Sequence, residues 1–197
     1  MAPMSFRRLS TAVTAALAVA VAVPAAAQAC GTQPLAQPLL TVGDEGWYLP
    51  VDNAGFEKGT NDWKLRNGAV VRENEPWKVL GGTQSLRLNA GGSALSDEVC
   101  VTLDHTHSRF FARALTATGT LRVDVLWDNE GDDHEVTVLT LDASGFRAWA
   151  PTPTATMAQA VRSLFEDEAD ELVALRLTAV SGAWLVDDVL VDPYRRR

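Results

Sequence analysis

Three runs of alternating apolar and polar residues constrain this chain most: Ser85 to Asn89, Thr120 to Trp127 and Glu135 to Leu141. A period of two places successive side chains on opposite faces of a strand, so one face of each run can pack while the other meets water. Between and beside these runs stand Gly81-Gly82, Asn89-Ala90-Gly91-Gly92, Glu130-Gly131-Asp132-Asp133 and Ala143-Ser144-Gly145, which are rich in residues that turn the chain or tolerate positive φ. They read as hairpin connections. Further strands are expected over Ala94 to Leu103, Ser108 to Leu115, Leu172 to Val180 and Trp184 to Val191. Short strands separated by turn signals are the pattern of an all-β, antiparallel sandwich or barrel. One stretch departs from it: Thr156 to Leu164, followed by Glu166-Asp167-Glu168, lacks alternation and is expected to form a short helical segment after the Pro151-Thr152-Pro153 loop.

The amino terminus has a different character. Arg7 and Arg8 precede an uncharged stretch from Leu9 to Val23, then Pro24 and the small residues Ala25-Ala26-Ala27-Gln28-Ala29. This is the order of a secretory signal peptide, residues 1–29, with cleavage expected after Ala27 or Ala29. An uncleaved anchor is the alternative, and cleavage after Ala29 would leave Cys30 in the position of a lipidated cysteine. No later stretch is long and apolar enough to span a membrane, so the expected location is outside the cytoplasm. The chain carries a formal charge of -8, and loss of the two signal arginines leaves 15 basic residues against 25 acidic. Such a balance argues against nucleic acid and anionic lipid as partners. The two cysteines, Cys30 and Cys100, both follow the signal, and one disulfide between them is the simplest outcome in an oxidising compartment. Closing that loop would contribute ~4 kcal/mol in the chain-entropy model.

Two motifs stand at opposite ends of the β region: Asn53-Ala54-Gly55-Phe56-Glu57-Lys58-Gly59 with Trp63 close behind, and Trp184-Leu185-Val186-Asp187-Asp188-Val189-Leu190-Val191. Together they resemble the opening and closing segments of the galactose-binding-like jelly-roll superfamily, in particular its carbohydrate-binding modules. The resemblance covers roughly Val51 to Pro193. It implies a jelly-roll sandwich over residues 51–193, with residues 30–50 as an amino-terminal extension tied down by the disulfide. It also implies a structural calcium ion where the two motifs meet, with Glu57, Asp187 and Asp188 as ligands. Calcium takes six to eight hard oxygen donors, and facing acids without a cation repel one another. The competing reading has Glu57 capping a turn while one aspartate accepts backbone amides.

Sugar recognition stacks aromatic faces on sugar rings, which directs interest to the six tryptophans. Core packing is the usual role of this residue. Trp77, after Pro76, and Trp149, before the proline-rich loop, are the two expected to face a ligand. Asp104-His105-Thr106-His107 reads as a turn rather than a zinc site, for want of a third ligand nearby. The acidic stretch from Asp128 to Asp133 has its glycine in the wrong place for a calcium loop and reads as a hairpin tip. No nucleophile elbow, phosphate loop or zinc-protease motif is present. The expected function is therefore that of a secreted, non-catalytic module binding a glycan or polysaccharide. An extracellular structural or protein-interaction domain is the alternative, and an enzyme ranks third.

Overall fold

Eleven strands account for most of what the structure, a computed structural model, describes, namely residues 34–102, 107–129, 131–157 and 170–192. The expected signal peptide, Cys30, the Asp104-His105-Thr106 stretch and nearly all of the expected helix lie outside the described residues. In chain order the strands are β1 (Leu49–Pro50), β2 (Trp63–Val71), β3 (Ser85–Ser96), β4 (Val99–Thr102), β5 (His107–Ala114) and β6 (Thr120–Asn129). They continue with β7 (Asp132–Asp142), β8 (Ala150–Pro151), β9 (Ala155–Thr156), β10 (Asp170–Ser181) and β11 (Trp184–Asp192). Short 3-10 turns cover Pro38–Val42 and Ala143–Phe146. All the pairings are antiparallel, and the order β7-β6-β10-β3-β11-β5-β8 curls into a sandwich of jelly-roll type.

β3 is the strand that joins the two layers. Its first half pairs Leu86 and Leu88 with Val186 and Trp184 of β11, and its second half pairs Ala94 and Leu95 with Leu177 and Arg176 of β10. The change of partner falls at Asn89-Ala90-Gly91-Gly92. This segment was expected to be a hairpin connection, but it bends a continuing strand instead. A side chain on Gly92 would sit 2.4 Å from the Asn67 carbonyl of β2, so glycine is what lets the two backbones approach here. Two other expectations are corrected. Ala143-Ser144-Gly145 is a 3-10 turn whose start is capped by the Asp142 carboxylate, which accepts from the Ser144 amide at 2.9 Å. Thr156, expected to open a helix, belongs to β9 and pairs with His107.

Alternation is realised as expected in β6, where Leu121, Val123 and Val125 face the core with Leu175 and Leu177 of β10. Phe56, Trp63 and Trp184 join the same core, with the Phe56 and Trp63 rings 5.1 Å apart. A smaller cluster of Leu39, Tyr48, Phe111 and Leu190 packs the segment before β2 onto the outside of β5 and β11. Asp44 fastens that segment by accepting from the Tyr48 hydroxyl at 2.6 Å and pairing with Arg109. Cys100 is not a free thiol. Its expected partner, Cys30, lies outside the described residues.

Candidate functional site

The opening motif is first a piece of backbone engineering. The Asn53 amide donates to the carbonyls of Gly59 and Asn61, and its oxygen accepts from the Lys58 amide, so one side chain holds the whole turn. The Val51 amide donates to the Val189 carbonyl and the Val189 amide to Ala54, which brings the opening turn against the closing strand. The resemblance implied this meeting of the two ends. β11 carries a bulge at that point: Asp187 pairs with Phe111 and Leu190 with Arg109, leaving one extra residue in β11. Asp188 accommodates it in the left-handed region at φ 49°. The bulge turns both aspartates inward, and both are fully buried.

A third buried acid, Glu75, meets them there. The Glu75 amide donates to Asp187 Oδ2 at 3.3 Å, and the Leu80 amide to Asp188 Oδ2 at 3.2 Å. Glu75 in turn accepts from the amides of Trp77 and Val79. Glu57 is exposed and caps the neighbouring turn, its Oε1 accepting from Thr83 at 2.8 Å and Gln84 at 2.6 Å. Gly82 is required beside it: at φ +92° its missing Cβ would stand 2.3 Å from Glu57 Oε1. No ion pair among the described residues reaches any of these four acids. Burial, and then the Asp188 charge, pushes Asp187 up to about 9. Burial also pushes Asp188 up to about 7, with the Leu80 amide working against it and Glu75 and Glu57 adding to it.

This donor set fits a hard cation in its chemistry, since among the described residues two adjacent carboxylates are buried without a counter-charge and Asp188 Oδ1 is buried without a partner. Among the described residues no three His, Cys, Asp or Glu side chains converge as a ready-made metal site. A cation held here would draw on the aspartates and backbone oxygens, because Glu57 and Glu75 spend carboxylate oxygens on backbone amides. Both the turn cap and the amide contacts of the competing reading are thus present. Glu75 carried no motif signal, and only the fold shows it to be the centre of the cluster.

The same amide contacts position the loop that presents Trp77. Trp77 is exposed, and its ring lies 5.3 Å from Phe111, which backs it from the core side. β8 pairs Ala150 with Ala112 of β5, which brings Trp149 up beside Arg113. Trp77 and Trp149 therefore line one open cavity of about 600 Å³, together with Pro76, Arg113 and Arg147. Arg113 pairs with Glu73. Trp149 is half-buried, packs against the Leu39 and Phe111 cluster, and its Nε1 is buried without a partner among the described residues.

A second cavity of about 500 Å³ lies on the solvent face of β6, β7 and β10. Its centre is Trp127, stacked on His134 at 5.2 Å and 16°. The two are cross-strand partners in the hairpin whose tip Gly131 closes, and the Gly131 amide donates to Asp128 Oδ1 at 2.7 Å. Glu98, Asp128, Asp133 and Glu135 line it, with Arg176 bound to Glu135. Beneath them the buried Asp124 accepts from Arg122 at 2.9 Å and Thr137 at 2.7 Å. Counting back from the acidic tip would have paired Trp127 with His134 from the sequence alone.

No protein-family model matches the sequence, and no curated protein matches it. Solved structures do. The CBM22-1 xylan-binding domain from Paenibacillus barcinonensis Xyn10C matches at 17% identity and a TM-score of 0.47, over 73% of this chain and 94% of that one. In fold, the chain is similar to carbohydrate-binding modules. The tandem CBM22-1-CBM22-2 domain of the same protein matches at 18% identity and a TM-score of 0.48, over 72% of this chain, which spans 44% of the tandem. A family 11 carbohydrate-binding module from Clostridium thermocellum, in complex with a mixed-linked tetrasaccharide, matches at 8% identity and a TM-score of 0.48, over 71% of this chain and 94% of that one.

Proposed function

We propose that the chain is a secreted, non-catalytic module that binds a glycan or polysaccharide through the cavity holding Trp77 and Trp149. The observation that carries this reading is the convergence of two tryptophans, 72 positions apart by their numbers, on one open cavity with polar side chains around it. Exposed aromatic faces are costly to leave in water and suit the apolar faces of sugar rings, while adjacent guanidinium groups supply donors to hydroxyls. Phe111 behind Trp77 fixes the ring plane, which lowers the ordering cost of stacking. A calcium ion at Asp187 and Asp188, with Glu57 capping the neighbouring turn, would have a structural role. Its charge would hold the aspartates ionised and stiffen the loop of Trp77. The disulfide between Cys30 and Cys100 would tie the segment before β1 to β4, a reading supported by Cys100 not being a free thiol.

Retention of the purified domain on insoluble polysaccharides, alongside a glycan array, tests the reading. Selective retention that is lost in Trp77→Ala or Trp149→Ala and kept in Trp127→Ala is the expected result. Loss in Trp127→Ala alone would move the site to the second cavity. Uniform silence from folded protein would favour the structural or protein-interaction role. The acids around Trp127 make hydrolysis the other competing outcome, and release of reducing ends from the retained polysaccharide would establish it.

A further inference from the structure

We propose that the cavity between Trp77 and Trp149 takes a carboxylated sugar, a hexuronate unit of an acidic polysaccharide; this rests on the sugar-binding reading above. The chain as a whole is acidic, at -8, yet this cavity is lined by Arg113 and Arg147 and by no acidic residue. The lining of the cavity is therefore basic just where the Trp77 ring is exposed. Arg147 is exposed and has no ion-pair or hydrogen-bond partner among the described residues, so its fork of donors is available. Arg113 is half-buried in β5 and is held by Glu73, which fixes its guanidinium at the cavity wall. Among the described residues the only acid bound to this pair, Glu73, thus stands outside the lining. A planar guanidinium matches a carboxylate with two parallel charge-assisted hydrogen bonds, whereas a neutral sugar offers it only uncharged hydroxyls. Trp77 and Trp149 then supply the stacking face and the arginines the discrimination between acidic and neutral rings.

Affinity electrophoresis through gels containing a soluble hexuronate polymer, neutral xylan or a sulfated dextran separates the possibilities. The expected result is retardation by the hexuronate polymer at least about tenfold stronger than by xylan, weakening as salt is raised. Arg147→Ala should lose about tenfold of that affinity, and Arg147→Lys should recover only part of it because the fork is gone. Retardation by xylan equal to that by the hexuronate polymer would overturn the inference and leave the sugar-binding reading standing. Retardation by sulfated dextran alone would assign the anion to a sulfate ester and overturn the carboxylate. No retardation by any of the three from folded protein would overturn both readings.

Discussion

Metal-free protein should lose stability as the pH rises, and the buried aspartates set the size of the effect. In the unfolded chain both titrate near 3.8, whereas in the fold burial places Asp188 near 7 and Asp187 near 9. The folded state therefore binds these protons more tightly than the unfolded state. Their contribution to stability is fully present below the unfolded value and is lost as the pH climbs through the folded ones. For Asp188 the gap is about three units, and at about 1.4 kcal/mol per unit its ionisation alone removes about 4 kcal/mol by pH 8. For a chain of this size that corresponds to a fall of roughly 8–16 °C in melting temperature. Thermal melts followed by circular dichroism in chelator, from about pH 4 to about pH 8, measure it directly. Excess calcium should restore the loss at the alkaline end, because a bound cation stabilises the ionised carboxylates. Asp188→Asn keeps the shape without the charge, so it should make the profile shallower, leaving the slope that the burial of Asp187 causes, and weaken the calcium response. A melting temperature that is level or rises with pH in chelator would refute the argument that these acids are buried without a counter-charge.

Other changes probe separate parts of the structure. Glu75→Gln should weaken polysaccharide retention more than it lowers the melting temperature, since Glu75 holds the amides of Trp77 and Val79; binding and melting curves on one sample compare the two. Gly82→Ala should cost about 1–3 kcal/mol in denaturant unfolding, because a side chain at φ +92° would meet the Glu57 carboxylate. Phe56→Ala should cost about 3–5 kcal/mol by the same measure, as a fully buried ring packed on Trp63 is removed.

Strands with one wet face were legible from sequence because alternation is a local property; β6 and β7 follow it on either side of a bulge at Val123 and Asp124, where the polar Asp124 is buried as well. β11 was found for another reason, the motif at its centre. β2 was missed because Lys64, Arg66, Asn67 and Gly68 dilute its pattern, its burial coming from one side of β3. The bend at Asn89 to Gly92 was misread as a turn because the same residue types serve both purposes. Only the long-range pairing of β3 with both β10 and β11 tells them apart. In the acid cluster the aspartates were marked by their motif, but Glu75 lies 112 positions from Asp187, and no local signal announces such a contact. Trp77 and Trp149 were picked for their loop settings, and it is the pairing of β8 with β5 that brings them to one cavity.

The loop from Glu75 to Leu80 is fastened through its amides: those of Glu75, Trp77, Val79 and Leu80 all donate to buried carboxylates. Every residue except proline has that amide, so the anchorage places almost no demand on the side chains at positions 77, 79 and 80, while Lys78 stands in the left-handed region at φ 52°. A surface held in this way can be rewritten one residue at a time while its backbone path stays fixed. The three acids underneath therefore act as a socket for interchangeable recognition residues. New specificities could be selected in this loop by substituting its exposed positions, provided that Glu75, Asp187 and Asp188 are left alone.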